Sequence, residues 1–122
     1  RYAPSLSVCV LEGSRGRRRE AIRTTRADVW VLNFTTMRHD LGELRALDAA
    51  LLVVDEAQRI KNWNTLTAKS VKALTTPRVL ALTGTPLENR LQELHSVMEL
   101  LDPRALGPMW RLFPEHAVVD EE

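Results

Sequence analysis

The sequence predicts an α/β fold in which a parallel sheet carries helices on both of its faces. Two observations lead to this class. Short apolar strands alternate along the chain with stretches of helical spacing, an order that requires right-handed crossovers between parallel strands. The run Ala49–Val54 is apolar without alternation, which suits a parallel strand covered on both faces. With 122 residues, 44% of them hydrophobic, the chain can bury one core.

The first part of the chain is predicted to hold two strands around a basic helix. Apolar residues alternate with small polar ones over Leu6–Val10, which is typical of a strand. Residues 17–26 are rich in arginine and offer only Ala21 and Ile22 for burial, so we expect a largely exposed helix. Residues 29–34 are rich in β-branched and aromatic side chains and predict the second strand.

A second helix and a third strand follow. Apolar residues at helical spacing predict one helix over residues 37–44, with Thr35 or Thr36 as its N-cap. The run Ala49–Val54 has no polar alternation, which favours a strand covered on both faces.

The second half repeats this alternation. Thr65 is expected to cap a helix that reaches about Leu74, and Val79–Leu82 forms the fourth strand. A capping box with proline at the first helical position opens the last helix, whose apolar stripe extends to Leu101. The residues of this box are Thr85, Pro86 and Glu88. We assign residues 1–103 to the α/β unit and residues 104–122 to a loosely ordered extension.

Composition and cysteine content indicate the cellular compartment in which the protein is expected to occur. The longest apolar run, Ala49–Val54, is far shorter than the roughly 20 residues of a membrane span. No export leader opens the sequence, so we expect an intracellular protein without membrane contact. The single cysteine, Cys9, lies in an apolar strand and is expected to be a packed hydrophobe in a reducing compartment.

Two adjacent acids follow the third strand. Asp55 can hold Mg²⁺ through its oxygen atoms, and Glu56 can orient and deprotonate a water that attacks a phosphate. The alternative is that the pair only caps the next segment, because acids are favoured at helix N-termini.

A second polar cluster, residues 83–86, follows the fourth strand. Its hydroxyl and backbone N–H groups can contact phosphates or neighbouring carboxylates. The alternative is an ordinary strand–turn–helix junction. Because parallel strands end at the same edge of a sheet, we expect both clusters to lie close together.

Basic residues are concentrated near the amino terminus. Arg17, Arg18 and Arg19 can contact a phosphate backbone, or they can form a solvated helix face. The three histidines are far apart and do not share a metal-binding spacing with Cys9.

Two strings in this sequence, DEAQRIKN at 55–62 and LTGTPLEN at 82–89, resemble the Swi/Snf family of helicase-like, DNA-dependent ATPases in helicase superfamily two. The resemblance extends over about residues 1–102. It implies a partial RecA-like fold of the P-loop NTPase class, with ATP and Mg²⁺ as cofactors. It also implies a parent protein that hydrolyses ATP in order to move on double-stranded DNA.

The resemblance also implies roles for individual residues. Asp55 and Glu56 would be the Walker B pair, for Mg²⁺ and for water activation, and Gln58 would sense the γ-phosphate. The motif that links the nucleotide site to a second RecA-like lobe would comprise Thr83, Gly84 and Thr85. Candidates for contact with the DNA backbone would be Thr35, Thr36 and Arg38.

The sequence departs from the family in one respect. No glycine–lysine phosphate loop occurs in these 122 residues, and they are too few for the second lobe with its arginine finger. We therefore expect the C-terminal part of a first RecA-like lobe that is inactive by itself. The arginine-rich composition favours a bacterial cytoplasmic over a nuclear enzyme. Without the phosphate-loop strand, Val79–Leu82 would be an open edge that invites pairing with a second copy. The alternative is a non-enzymatic module that uses a helicase scaffold to bind nucleic acid or protein.

Overall fold

The computed structural model describes residues 3–60, 65–84, 91–102 and 104–108. Four short strands alternate with helices over these ranges. The strands are β1 (Val8–Val10), β2 (Val29–Val31), β3 (Leu52–Val54) and β4 (Val79–Ala81). The helices are α1 (Arg15–Thr24), α2 (Phe34–His39), α3 (Leu41–Arg45), α4 (Leu66–Ala73) and α5 (Leu91–Leu101), and a 3-10 helix (Ala57–Ile60) follows β3.

The strands pair in parallel, two by two. β1 lies beside β2 with Cys9 opposite Trp30, and β3 lies beside β4 with Val53 opposite Leu80. This confirms the predicted α/β class with parallel strands. The single predicted sheet is instead present as two separate pairs within the described part of the chain. Each strand has only three residues and is shorter than predicted. The alternation of side chains along a sequence does not show where the ladder of hydrogen bonds ends.

Each strand pair has one exposed apolar face. Val8 and Val10 are 61% and 56% exposed, and Val53 and Leu80 are 49% and 48% exposed. The expectation that Ala49–Val54 is covered on both faces is therefore wrong for this structure, because Leu51 and Val53 are about half exposed. An apolar run shows that both faces suit burial, but it does not show that a covering element lies within the same segment.

The predicted helix over residues 37–44 is divided into α2 and α3 at Asp40, which is fully buried. The N-cap of α2 is Asn33 rather than Thr35 or Thr36, and its side chain accepts a hydrogen bond from the Thr36 N–H at 2.8 Å. The periodicity in the sequence continues through Asp40 because Met37 and Leu44 both face the core on either side of the break.

The later helices agree with their predicted positions. Thr65 caps α4 by accepting the Ala68 N–H at 3.2 Å. The capping box predicted at Thr85, Pro86 and Glu88 lies outside the described residues. In α5, Val97 and Leu100 are buried while Leu101 is 42% exposed, so the buried face is rotated from the predicted stripe.

The core lies among the helices and the covered strand faces. Its most buried members, Ala57, Ile60 and Ala68, have no exposed surface. Beyond α5, residues 104–108 turn back so that the Gly107 carbonyl lies 2.9 Å from His95 Nε2. Within the described ranges, no helix combines the length and apolar character that crossing a membrane requires.

Candidate nucleotide and nucleic-acid site

The two polar clusters meet at the carboxyl edge of the β3–β4 pair, as the sequence predicts. The Leu82 N–H donates to the Val54 carbonyl at 2.8 Å, and the Ala57 N–H donates to the Leu82 carbonyl at 2.8 Å. The segment that leaves β3 is therefore fastened by main-chain hydrogen bonds to the segment that leaves β4.

The turn after β3 places both acids in solvent. Glu56 adopts a left-handed conformation with φ of 52°, which is costly for a residue with a Cβ atom. The Asp55 Oδ1 atom accepts the Glu56 N–H at 2.9 Å, and the Arg59 N–H donates to the Glu56 carbonyl at 2.9 Å. These contacts fix the backbone of the turn and leave both side chains exposed at the edge of the sheet.

Gln58 connects the acids to the hydroxyl cluster. Its side-chain amide group donates to Glu56 Oε2, and its Oε1 atom accepts a hydrogen bond from Thr83 Oγ1 at 2.7 Å. One half-buried glutamine therefore contacts a carboxylate from the first cluster and a hydroxyl from the second. Gly84 is exposed next to Thr83, and Thr85 lies outside the described residues.

The capping alternative for the acids receives little support from these contacts. Main-chain carbonyl groups, and not the two carboxylates, accept the Ala57 and Arg59 N–H groups of the 3-10 helix. Among the described residues, the carboxylate of Asp55 accepts the N–H of the neighbouring Glu56. The acids are therefore placed for contact with solvent or a ligand.

The donor set is compatible with Mg²⁺ but not with a cage of protein ligands. Among the described residues there is no group of three or more histidine, cysteine or acidic side chains that could hold a metal ion. Mg²⁺ in nucleotide sites needs only one or two carboxylates, because water and phosphate oxygens complete its coordination. The exposed carboxylate of Asp55 fits this requirement.

The candidate DNA-contact residues of α2 point in different directions. Thr35 and Arg38 are exposed, whereas Thr36 is 8% exposed and lies in the core-facing side of the helix. Thr36 instead supports the helix start through its N–H, which Asn33 caps. A sequence pair of threonines cannot show this division, because it depends on where the helix begins.

The three candidate arginines of α1 are also divided. Arg18 donates from Nη2 to Asp40 Oδ1 at 3.1 Å and from Nε to Asp40 Oδ2, and its side chain is 11% exposed. Arg17 and Arg19 are both exposed, but the guanidinium group of Arg19 pairs with Glu43 of α3. Asp40 and Arg18 thus form an ion pair that joins α1 to the junction of α2 and α3.

These ion pairs shift the pKa values of their acids. The hydrogen bond from Arg18 lowers the pKa of Asp40, against the opposing effect of burial. The same bond raises the pKa of Arg18. For Glu43, a backbone hydrogen bond is the largest cause of a lowered pKa, and Arg19 adds to it.

One contact near the site was not expected from the sequence. The guanidinium carbon of Arg59 lies 5.4 Å from the centroid of the Phe34 ring. Arg59 belongs to the 3-10 helix of the acidic turn, and Phe34 is the first residue of α2. The sequence offers the position of Arg59 directly after Gln58 as its only signal, and nothing in it pairs Arg59 with Phe34.

The acids and the hydroxyl lie at the carboxyl ends of neighbouring parallel strands, where ligands bind in α/β proteins, and acids there can hold Mg²⁺ or orient a water that attacks a phosphate. Comparison with known sequences identifies the protein family. The profile of the SNF2-related domain matches residues 1–121, and the chain belongs to this family.

Relatives are found in bacteria and in eukaryotes. An uncharacterized ATP-dependent helicase of Mycoplasma genitalium is 32% identical over 107 residues, which are 88% of this chain and 10% of the relative. The chromodomain-helicase-DNA-binding protein 1-like of Danio rerio is 33% identical over 112 residues, covering 88% of this chain and 11% of the relative. The chain thus spans about a tenth of the length of these curated relatives.

A solved structure has a similar fold. The SWI2/SNF2 ATPase core of Sulfolobus solfataricus in complex with double-stranded DNA matches with a TM-score of 0.75 and 31% sequence identity. The match covers 92% of this chain and 23% of that chain. It supports the prediction of a partial RecA-like core of the SWI2/SNF2 type.

Proposed function

We propose that this chain is the C-terminal part of the first RecA-like lobe of a longer SNF2-type enzyme, which hydrolyses ATP and moves on double-stranded DNA. The observation that carries the proposal is the contact of Gln58 with both Glu56 and Thr83, because it joins the two family motifs into one site. One relative described above is an ATP-dependent helicase, the other is a chromodomain-helicase-DNA-binding protein, and the similar structure is an ATPase core in complex with double-stranded DNA.

In this proposal each residue at the sheet edge has a separate task. Glu56 accepts the proton of the water that attacks the terminal phosphate. Gln58 holds the Glu56 carboxylate by its amide group and senses the γ-phosphate, and Thr83 transmits the state of the site to the second lobe through Gln58. We assign Gly84 and Thr85 to the nucleotide site as further members of the same family motif.

Asp55 would hold Mg²⁺, which when bound neutralises charge on the phosphate oxygens. The position of Asp55 suits this task because its Oδ1 atom is oriented by the Glu56 N–H while its side chain remains exposed. The phosphate loop and the second lobe must come from residues other than these 122, so we expect the chain by itself to lack ATPase activity.

A direct test uses the complete enzyme that contains this segment. We expect Glu56→Gln to lower duplex-stimulated ATP hydrolysis by about 100-fold or more, because it removes the proton acceptor while keeping the size of the side chain. Glu20→Gln is the matched control, since Glu20 is exposed on α1. Equal turnover by the Glu56→Gln and unsubstituted enzymes, or rapid turnover by the 122-residue chain alone, would refute the proposal.

For the DNA partner, we propose that Thr35, Arg38 and Arg17 contact phosphates directly, because their side chains are exposed. Thr36, Arg18 and Arg19 would support that surface through their contacts with α2 and α3. The test is the affinity of the chain for duplex at several salt concentrations, and a flat dependence would exclude a phosphate-driven contact.

A second candidate function follows from the exposed apolar faces. Val8, Val53 and Leu80 belong to faces that the described part of the chain leaves exposed, so the chain could act as an interaction module or pair with a second copy. The sedimentation behaviour of the chain tests this. If association drives such a function, Val53→Thr and Leu80→Thr should shift the chain toward monomer, and an unchanged distribution would count against it.

We also propose a bacterial cytoplasmic rather than a nuclear location, on the basis of the arginine-rich composition, in which 14 of the 17 basic residues are arginine. The half-buried, unpaired thiol of Cys9 supports a reducing compartment.

A further inference from the structure

The 3-10 helix of the acidic turn has one residue that reaches toward α2. Ala57 and Ile60 have no exposed surface and anchor this helix in the core, while Arg59 between them is exposed. The guanidinium carbon of Arg59 lies 5.4 Å from the centroid of the Phe34 ring, within the range of a cation–π contact.

Both ends of this contact are attached to candidate functional residues. The N–H of Arg59 donates to the carbonyl of Glu56 at 2.9 Å, and Glu56 is held in a left-handed conformation. Phe34 is the first residue of α2 and directly precedes Thr35. A change in the backbone of Glu56 would therefore reorient the carbonyl that holds Arg59, and a shift of the α2 start would move the ring under its guanidinium group.

We propose that Arg59 is a positioning residue that couples the DNA-contact segment at the start of α2 to the Glu56 turn, through its stacking on Phe34. This inference rests on the proposed function, since it requires that α2 meets duplex and that Glu56 serves ATP hydrolysis. Occupancy of either site changes the geometry of the contact, and by linkage the contact then transmits that change to the other site.

The size of the effect follows from the contact. A cation–π contact at an exposed site corresponds to about a two- to fivefold change in an equilibrium constant. Arg59→Gln and Phe34→Leu should each reduce the stimulation of ATP hydrolysis by saturating duplex two- to fivefold. The combined variant should lose no more than either alone, because both substitutions remove the same contact.

The experiment measures, in the complete enzyme that contains this segment, the ratio of the ATP hydrolysis rate with duplex to the rate without it. Arg59→Lys keeps a cation over the ring and should retain at least half of the stimulation. Arg78→Gln is the control, since Arg78 is exposed just before β4, at the opposite edge of the sheet.

The outcomes separate this inference from the function on which it rests. If duplex does not stimulate ATP hydrolysis by the unsubstituted enzyme, both the role of Arg59 and the proposed function are refuted. If duplex stimulates the unsubstituted enzyme normally, three results would refute the role of Arg59 alone. These are additive losses from Arg59→Gln and Phe34→Leu, no effect of Arg59→Gln, and an equal loss from the control Arg78→Gln.

Discussion

The buried carboxylate of Asp40 allows a quantitative test of what holds α1 against α2 and α3. Asp40 has no exposed surface, and Arg18, its partner, has a side chain that is 11% exposed. Asp40→Asn keeps the shape of the side chain but removes its charge, so the Arg18 guanidinium loses the anion on which it depends.

The stability that Asp40→Asn is expected to remove lies between two known limits. Removing one partner of a fully buried ion pair costs about 3–5 kcal/mol, whereas an exposed pair contributes about 0–1 kcal/mol. Because Arg18 is near the surface and can regain some water, we expect Asp40→Asn to lower the free energy of unfolding by about 2 kcal/mol at pH 7. Urea denaturation of the 122-residue chain measures this value, with Glu12→Gln, at an exposed acid, as the control that should change little.

The loss should also depend on pH in a defined direction. The pKa of Asp40 is lowered in the folded state, mainly by the hydrogen bond from Arg18. Its contribution to stability is therefore fully present above the unfolded pKa of about 3.9 and disappears as the pH falls through the lower folded pKa.

The difference between the unsubstituted chain and the Asp40→Asn chain isolates this group from Asp28 and Glu43, whose pKa values are also lowered. The difference should be constant from pH 7 to about pH 5 and should shrink below about pH 4. A difference below 1 kcal/mol at pH 7, or one that is unchanged at pH 3, would refute the assignment of Asp40 as a charged partner of Arg18.

Three further predictions concern single positions. Thr65→Ala should lower the free energy of unfolding by about 1 kcal/mol, measured by urea denaturation, because α4 loses the cap at its Ala68 N–H. Glu56→Gly should raise the free energy of unfolding by about 1 kcal/mol, because glycine adopts the left-handed φ at no steric cost. The same substitution should abolish ATP hydrolysis by the complete enzyme. Arg17→Gln should reduce the slope of log affinity for duplex against log salt by about 0.9, and Arg18→Gln should lower stability instead.

The candidate site was largely predictable because it depends on local rules. Asp55 and Thr83 each follow a short apolar strand, and parallel neighbours must bring their carboxyl ends to one edge. The hydrogen bond from Thr83 to Gln58 then confirms that the two clusters meet. Neither the left-handed conformation of Glu56 nor its contact with Gln58 has a sequence signal, because both result from the way the turn is fastened to β4.

The fold was predictable in class but not in its helix boundaries and exposed faces. Periodicity indicated one helix through Asp40, but the chain breaks there to aim a carboxylate at Arg18, which is 22 positions earlier in the sequence. Such a pairing is invisible to any local pattern. The exposure of Val53 has a similar cause, since cover for its face must come from outside the described residues.

The division of the arginines changes how the charge of this chain should be interpreted. The sequence carries a formal net charge of +1, and its basic amino-terminal segment suggests a continuous phosphate-binding surface. In the structure, the guanidinium groups of Arg18 and Arg19 pair with Asp40 and Glu43, so these two arginines hold α1 against the following helices. Arg17 lies on the same helix and is exposed to solvent. Affinity for duplex should therefore depend on fewer charges than the sequence contains, with each exposed arginine that meets a phosphate adding about 0.9 to the slope of log affinity against log salt.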